Sequence, residues 1–287
     1  MSNWGNVLEE TMPNKDKILN RYVKRLAQLR KRNVVVYYSN WLNNSSGKVD
    51  INDSDQIGFM NAFNGLDKTK GLDLILHTPG GSPTATEGIS KYMHNLFGND
   101  INVFVPHMCM SAGTLLACSS TKIIMGKESF LGPVDPQFNG IPAFDIKKEI
   151  ENAKQELAQN PSNYQYWEIQ LRKYPAAYLY IVQDAINLTS VLLNQWLESY
   201  MFAGYSDEQG KKDLIKRIVA KLNNNSHSHA RHFDINDCKE MGLLVEPLEA
   251  NQEIQDAVLS IYHACSIISG DSSKLITNNK GQTYFLK

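Results

Sequence analysis

The chain has 287 residues, enough for one large domain or two small ones with a sizeable core. Its 42% hydrophobic and 21% charged residues describe an ordinary globular protein, and a formal net charge of −1 from 29 basic and 30 acidic side chains excludes the basic footprint of a nucleic-acid binder. No run approaches the ~18 apolar residues of a membrane span, the N-terminus has no apolar core of signal-peptide length, and Cys109, Cys118, Cys238 and Cys265 form no C-x-x-C pair, so a soluble cytoplasmic protein with reduced thiols is expected.

Residues 16–31 place Ile18, Leu19, Tyr22, Val23, Leu26 and Leu29 at helical spacing with basic residues opposite. "NVVVYYSN" then reads as a buried strand, and "NNSSGKVDINDSD" as loop ending near Asp53 or Ser54, either of which can cap a helix through "QIGFMNAFNGL". "GLDLILHTPGG" is a strand entering a Pro-Gly-Gly turn, and "TATEGISKYMHNLFG" a helix stopped by Gly98. "INVFVPHM" is the next strand, "SAGTLLACSS" a helix starting at or just after Ser111, "TKIIMG" a strand, and "SFLGPVDPQFNGIPA" a loop punctuated by Gly and Pro. This alternation with short connections predicts an α/β domain with a mainly parallel sheet. From about residue 145 the chain turns helical, through "FDIKKEIENAKQELAQN", "AYLYIVQDAINLTSVLLNQWLESYMF" and "SDEQGKKDLIKRIVAKLNNN". Asp234 or Asn236 can cap a short helix ending at Gly242 before the strand "LLVEPL", and the polar tail "SGDSSKLITNNKGQTYFLK" is expected to be loosely ordered. The chain divides into an N-terminal helical segment (1–32), a main domain (33–250), and a C-terminal helix and polar tail (251–287).

Two strand-to-helix turns carry the chemistry. In His77-Thr78-Pro79-Gly80-Gly81 the paired glycines permit positive φ and close backbone approach, and N–H groups exposed there suit a developing oxyanion. The plain alternative is a turn that merely reverses the chain. Ser111, at the first turn of its helix, is either a nucleophile whose neighbour Ala112 directs an amide the same way as the glycines, or an N-cap that satisfies its own helix. Both turns fall at the C-terminal ends of strands, where open α/β sheets hold ligands.

"LILHTPGG", "SAGT" about thirty residues later and "LGPVDPQ" together resemble the serine dehydrogenase proteinase (SDH-type) family of the Clp/crotonase superfamily, related to the Clp proteolytic subunit and signal peptide peptidase A. The likeness runs from "VVVYYSNWL" to "CKEMGLLV" in the family's order. It implies a spiral of ββα units with additional helices packed outside, usually assembled as a homo-oligomer, and a peptide or unfolded protein as substrate. Ser111 would be the nucleophile, Gly80 or Gly81 with Ala112 the oxyanion hole, and the segment containing Gly132 and Pro133 the cleft lining. No cofactor is implied, and no G-x-x-x-x-G-K-[ST] phosphate loop is present.

Serine needs a base to take its proton. The Clp-type arrangement puts a histidine near the place where this chain reads "GPVDP", and none is there. A Ser-Lys dyad is the replacement expected, since a desolvated lysine can lose its proton near neutral pH. Lys147, Lys148 and Lys154 follow the cleft loop on one helix, with Lys147 and Lys154 roughly on one face; the resemblance favours Lys154. All three can equally be solvated surface lysines. Asp135 can orient a base or fix its loop as an Asx-turn. His77 and His107 precede the two turns and can serve Ser111 or point into the sheet. The cluster His227, His229 and His232 invites a metal, but its spacing matches neither H-E-x-x-H nor a zinc-finger pair, so no metal is expected. The aromatic stretch "YQYWEIQLRKYPAAYLYIV" reads as core and subunit packing, and Asp184 as a helix-face charge or a partner to a basic group. The function expected is a serine endopeptidase acting through a Ser111 acyl-enzyme. The rivals are a crotonase-type acyl-CoA enzyme, which needs a carboxylate acid/base, and an inactive scaffold that binds peptides or partners.

Overall fold

Three β-branched and aromatic runs, at 33–39, 72–77 and 101–105, lie side by side as parallel strands buried on both faces. The computed structural model describes residues 4–11, 15–44, 48–223 and 230–286. Two helices, α1 (Trp4–Thr11) and α2 (Lys15–Arg30), lead into β1 (Asn33–Ser39). Then α3 (Asp55–Phe63), β2 (Leu72–His77), α4 (Pro83–Phe97) and β3 (Ile101–Val105) follow. The next elements are β4 (Met108–Cys109), α5 (Ala112–Cys118), β5 (Lys122–Met125) and β6 (Phe130–Leu131). A small hairpin, β7 (Gln137–Phe138) and β8 (Ile141–Pro142), precedes the long helices α6 (Ala143–Gln159), α7 (Tyr164–Leu171), α8 (Tyr178–Trp196) and α9 (Glu208–Asn223). The described chain closes with α10 (Ile235–Met241), β9 (Val245–Pro247), α11 (Gln252–Ile268), β10 (Lys274–Asn278) and β11 (Thr283–Leu286).

The main sheet has the order β11-β10-β1-β2-β3-β5-β9, parallel from β1 to β9, with β10 antiparallel to β1 and β11 antiparallel to β10. Strand alternation sorts its side chains onto two faces. Val34, Val36 and Tyr38 meet α2 and α11, whereas Val35 and Tyr37 join the core beneath α3, α4 and α5. The fold is thus α/β with a mainly parallel sheet. β1, β2 and β3 are each followed by a short ladder contact and then a helix. Thr78 bridges Cys109 after β2, and β4 pairs with β6 after β3. This second, smaller layer lies at the C-terminal ends of the parallel strands and places both motif turns in mutual contact.

Helix ends follow local chemistry. Gly98 closes α4 at φ 61°, and Asp234 forms a reciprocal capping box with Asp237 at the start of α10, which Gly242 ends at φ 103°. One expectation is corrected. The polar tail is not loose: β10 and β11 extend the main sheet, and every residue of β10 is buried. Its polar groups are tolerated because they are bonded, as where Asn278 Nδ2 donates to the Ala62 carbonyl at 2.7 Å. In the aromatic stretch Trp167 and Val182 are buried in this chain's core, while Tyr164, Tyr166, Ile169, Tyr180 and Ile181 are exposed. All four cysteines are buried free thiols, and no described helix is long and apolar enough to cross a membrane.

Candidate active site

The glycine turn after β2 is fixed from both sides. On one side Thr78 N–H donates to the Met108 carbonyl at 3.1 Å, and Met110 N–H returns to the Thr78 carbonyl at 2.9 Å. On the other, Ile51 N–H donates to the Gly80 carbonyl at 2.7 Å and Ser82 N–H to the Ile51 carbonyl at 2.8 Å. Only glycine fits at residue 80: φ is +101°, and a Cβ there would stand 2.7 Å from the Ser111 Cβ and 2.9 Å from the Ala112 nitrogen. The two turns are therefore in van der Waals contact, as the pairing of their strands requires.

Ser111 has φ 50° and ψ −118°, a region that non-glycine residues seldom occupy. An N-cap serine sits in extended geometry and accepts from its helix. Ser111 does neither, because its side chain makes no capping hydrogen bond; only its carbonyl enters the helix, accepting from Leu115 N–H at 3.0 Å. The hydroxyl is unspent among the described residues. The strain is one that functional sites retain, at a cost on the order of 1–3 kcal/mol.

The amides sort themselves. Gly80 N–H donates to its neighbour Thr78 Oγ1 at 3.1 Å, whereas the Gly81 and Ala112 N–H groups donate to no acceptor among the described residues. The other two residues of Ser-Ala-Gly-Thr have separate tasks. A Cβ on Gly113 would lie 2.4 Å from Thr78 Cγ2, so its absence lets α5 settle against the first turn. Thr114 donates to the Cys109 carbonyl at 2.8 Å and accepts from Gly132 N–H at 3.0 Å, which ties the following loop to the helix.

A cleft of ≈ 500 Å³ opens over Ser111, Ala112 and Gly81. Val134, Pro136 and Phe138 form one apolar wall, Ala185 and Thr189 of α8 another, and Asp50 supplies the ionisable side chain. Gly132 and Pro133 were expected in this lining. They are buried behind it instead, because the Gly132 amide is turned inward to Thr114, and Val134 reaches the cleft in their place. Asp135 is 2% exposed, accepts from Gln137 Nε2 at 2.9 Å and does not line the cleft.

The three lysines stand on α6 away from the cleft wall. Lys147 is half-buried with Nζ 3.9 Å from Glu151, and Lys148 and Lys154 are exposed. His77 and His107 turn to the α11 side of the sheet. Their rings stack with centroids 5.7 Å apart, His107 Nδ1 meets the Tyr262 hydroxyl at 2.8 Å, and burial, with His107 alongside, pushes His77 down to about 3. His232 packs edge-on to Phe130 and is exposed; His227 and His229 lie outside the described residues. Among the described residues no group of three His, Cys, Asp or Glu is arranged to hold a metal, and Asp184 is exposed on α8.

Sequence reasoning missed Asp50 and Ile51, which sit in a segment read as plain loop, and Thr78, whose hydroxyl occupies the Gly80 amide. The short polar stretch before α3 offers no periodicity that reveals a pairing with residue 81. Its one signal is Ile51, an isolated apolar residue 1% exposed.

Residues 46–162 match the family model of the ClpP-like SDH-type serine proteinases. Two uncharacterised proteins of Methanocaldococcus jannaschii are similar. MJ0137 is 30% identical over 198 residues, 69% of this chain and 60% of that protein, and MJ1495 is 26% identical over 197 residues, 69% and 59% respectively. The chain thus spans about six-tenths of the length of these relatives. Among solved structures, a ClpP1 mutant from Listeria monocytogenes aligns over 80% of this chain and 99% of its own, with 13% identity and a TM-score of 0.40. The segment that matches the ClpP-like SDH-type serine proteinases contains the Ile51 brace, both motif turns and the Val134 wall.

Proposed function

We propose that the chain is a serine endopeptidase whose nucleophile is Ser111. The observation that carries this reading is the strained, uncapped serine beside two unspent amides, Gly81 and Ala112, at the floor of an open cleft. In the reaction Ser111 Oγ attacks the scissile carbonyl. The carbonyl oxygen gathers negative charge against the two amides, the amine leaves with a proton, and water hydrolyses the acyl-enzyme. An extended peptide or unfolded chain is the substrate that an apolar, open-ended cleft of this size suits. The base in this reading is a lysine of α6, Lys147 or Lys154; neither lines the cleft, so it acts only if α6 approaches the serine. The protein is proposed to work in the cytoplasm as a homo-oligomer, a state supported by the exposed aromatic face of α7 and α8.

The test is labelling with a fluorophosphonate probe, followed by intact mass and peptide mapping. One adduct on Ser111, absent in Ser111→Ala, is expected. No adduct on folded protein favours the inactive scaffold. Labelling that survives both Lys147→Ala and Lys154→Ala removes the lysine base. The cleft's carboxylate, Asp50, favours one second reading, a crotonase-type acyl-CoA enzyme. In that case Ser111→Ala retains activity on an acyl-CoA thioester and Asp50→Asn loses it.

A further inference from the structure

Behind the glycine turn, away from the cleft, lies a buried set of charged and hydroxyl groups that the reaction above does not use. Asp55 and Lys274 are each 0% exposed, and Lys274 Nζ stands 2.6 Å from Asp55 Oδ1. The other carboxylate oxygen, Oδ2, accepts from the Tyr37 hydroxyl at 2.9 Å and from Asn52 N–H at 3.0 Å. Lys274 Nζ also donates to the Asp50 carbonyl at 2.8 Å. On the turn itself, Thr78 Oγ1 accepts from Gly80 N–H at 3.1 Å.

Three donors converge on the Asp55 carboxylate: the Tyr37 hydroxyl, Asn52 N–H and the Lys274 ammonium. A hydrogen bond is stronger in a dry interior than in water. Lys274 holds the pair from the opposite strand, and its second bond pins Asp50, whose neighbour Ile51 brackets Gly80 and Gly81. The cluster thereby grips the turn through the 50–52 segment, at the Asp50 carbonyl and at Asn52 N–H. Burying two charges is costly unless they are paired and hydrogen-bonded. Here each ion has the other and at least one further bond, at a place where a few tenths of an ångström decide whether an amide reaches an oxyanion.

We infer that Tyr37, Asp55 and Lys274 are positioning residues that act through the 50–52 segment to hold the Gly80–Gly81 turn in register with Ser111. The inference rests on the Ser111 reading for its link to catalysis, but the hold on the turn is a property of the fold.

Two readouts separate the two statements. Full-length Tyr37→Phe removes one bond to Asp55 while preserving shape; Thr78→Val removes the Gly80 acceptor directly and serves as the reference for a loosened turn, and Thr78→Ser restores the hydroxyl. The rate of fluorophosphonate labelling is expected to fall about 10- to 100-fold in Tyr37→Phe and Thr78→Val, less than the roughly 100- to 1,000-fold of losing one oxyanion donor outright. Thr78→Ser should label faster than Thr78→Val. Amide exchange of the peptide spanning 78–82, followed by mass spectrometry, needs no activity; it should quicken in both variants while peptides from β3 and β5 stay unchanged. If wild type is not labelled, the Ser111 reading fails and exchange alone judges the hold on the turn. Unchanged exchange at 78–82 in Tyr37→Phe overturns that hold, as does an unchanged labelling rate in Tyr37→Phe when the wild type labels.

Discussion

The backbone of Ser111 turns the choice between nucleophile and helix cap into a sign. At φ 50°, ψ −118° the residue carries a Cβ where the chain disfavours one, at a cost of about 1–3 kcal/mol. Ser111→Gly removes that Cβ. The gain is offset by the freedom that glycine adds to the unfolded chain, about 0.5–1 kcal/mol, which leaves a net stabilisation of roughly 0.5–2 kcal/mol. Ser111→Ala keeps the Cβ and loses a hydroxyl with no capping bond, so it should fall within about 0.5 kcal/mol of the parent. The expected order is Gly above Ser and Ala together. A cap gives a different order: Ala then costs about 0.5–2 kcal/mol and Gly only a few tenths. Urea unfolding at one fixed protein concentration, with the three proteins compared by midpoint at a common slope, reads the difference. A parent more stable than both variants, with Ala the worst, would refute strain at Ser111.

Two further outcomes follow from the same packing. Gly113→Ala places a methyl group 2.4 Å from Thr78 Cγ2; overpacking of about 1–3 kcal/mol should outweigh the helix gain of roughly 0.5–1 kcal/mol, and a thermal midpoint above the parent's would show that α5 does not rest on the turn. His77, 1% exposed among Tyr38, His107 and Tyr262, stays neutral in the folded chain down to about 3, while the unfolded chain protonates it from 6.5. Its contribution is therefore lost as pH falls from 6.5 toward 3, by about 2 kcal/mol at pH 5, and His77→Phe should flatten the stability difference between pH 7 and 5 by that amount. An identical pH dependence in the variant would contradict a buried neutral imidazole.

The two motif turns were legible because their information is local. A strand's apolar run, a glycine pair and a small-residue helix start lie within a dozen residues, and the physics that reads them acts over the same distance. What supports them is not local. Ile51 pairs with Gly81, Tyr37 reaches Asp55, and Lys274 comes from a tail whose lysine, threonine and asparagine look solvent-bound in sequence. Polar residues become core only when partners from elsewhere in the chain satisfy them, and a linear reading cannot supply those partners. The exposed tyrosines of α7 and α8 mislead in the opposite direction, since helical aromatic spacing looks the same whether the covering surface belongs to this chain or to another.

Strand β10 gives the order of synthesis a chemical meaning. The cleft is lined from residues 50–189, yet the ammonium that pins Asp50 belongs to a residue 224 positions later. A ribosome therefore delivers the serine, its glycines and their wall well before the last cation of the brace. Until β10 inserts antiparallel beside β1, Asp55 lacks its Lys274 counter-charge and the Asp50 carbonyl lacks the ammonium that pins it. In that order of events the brace behind the glycine turn is completed last, after every residue of the cleft wall has been made.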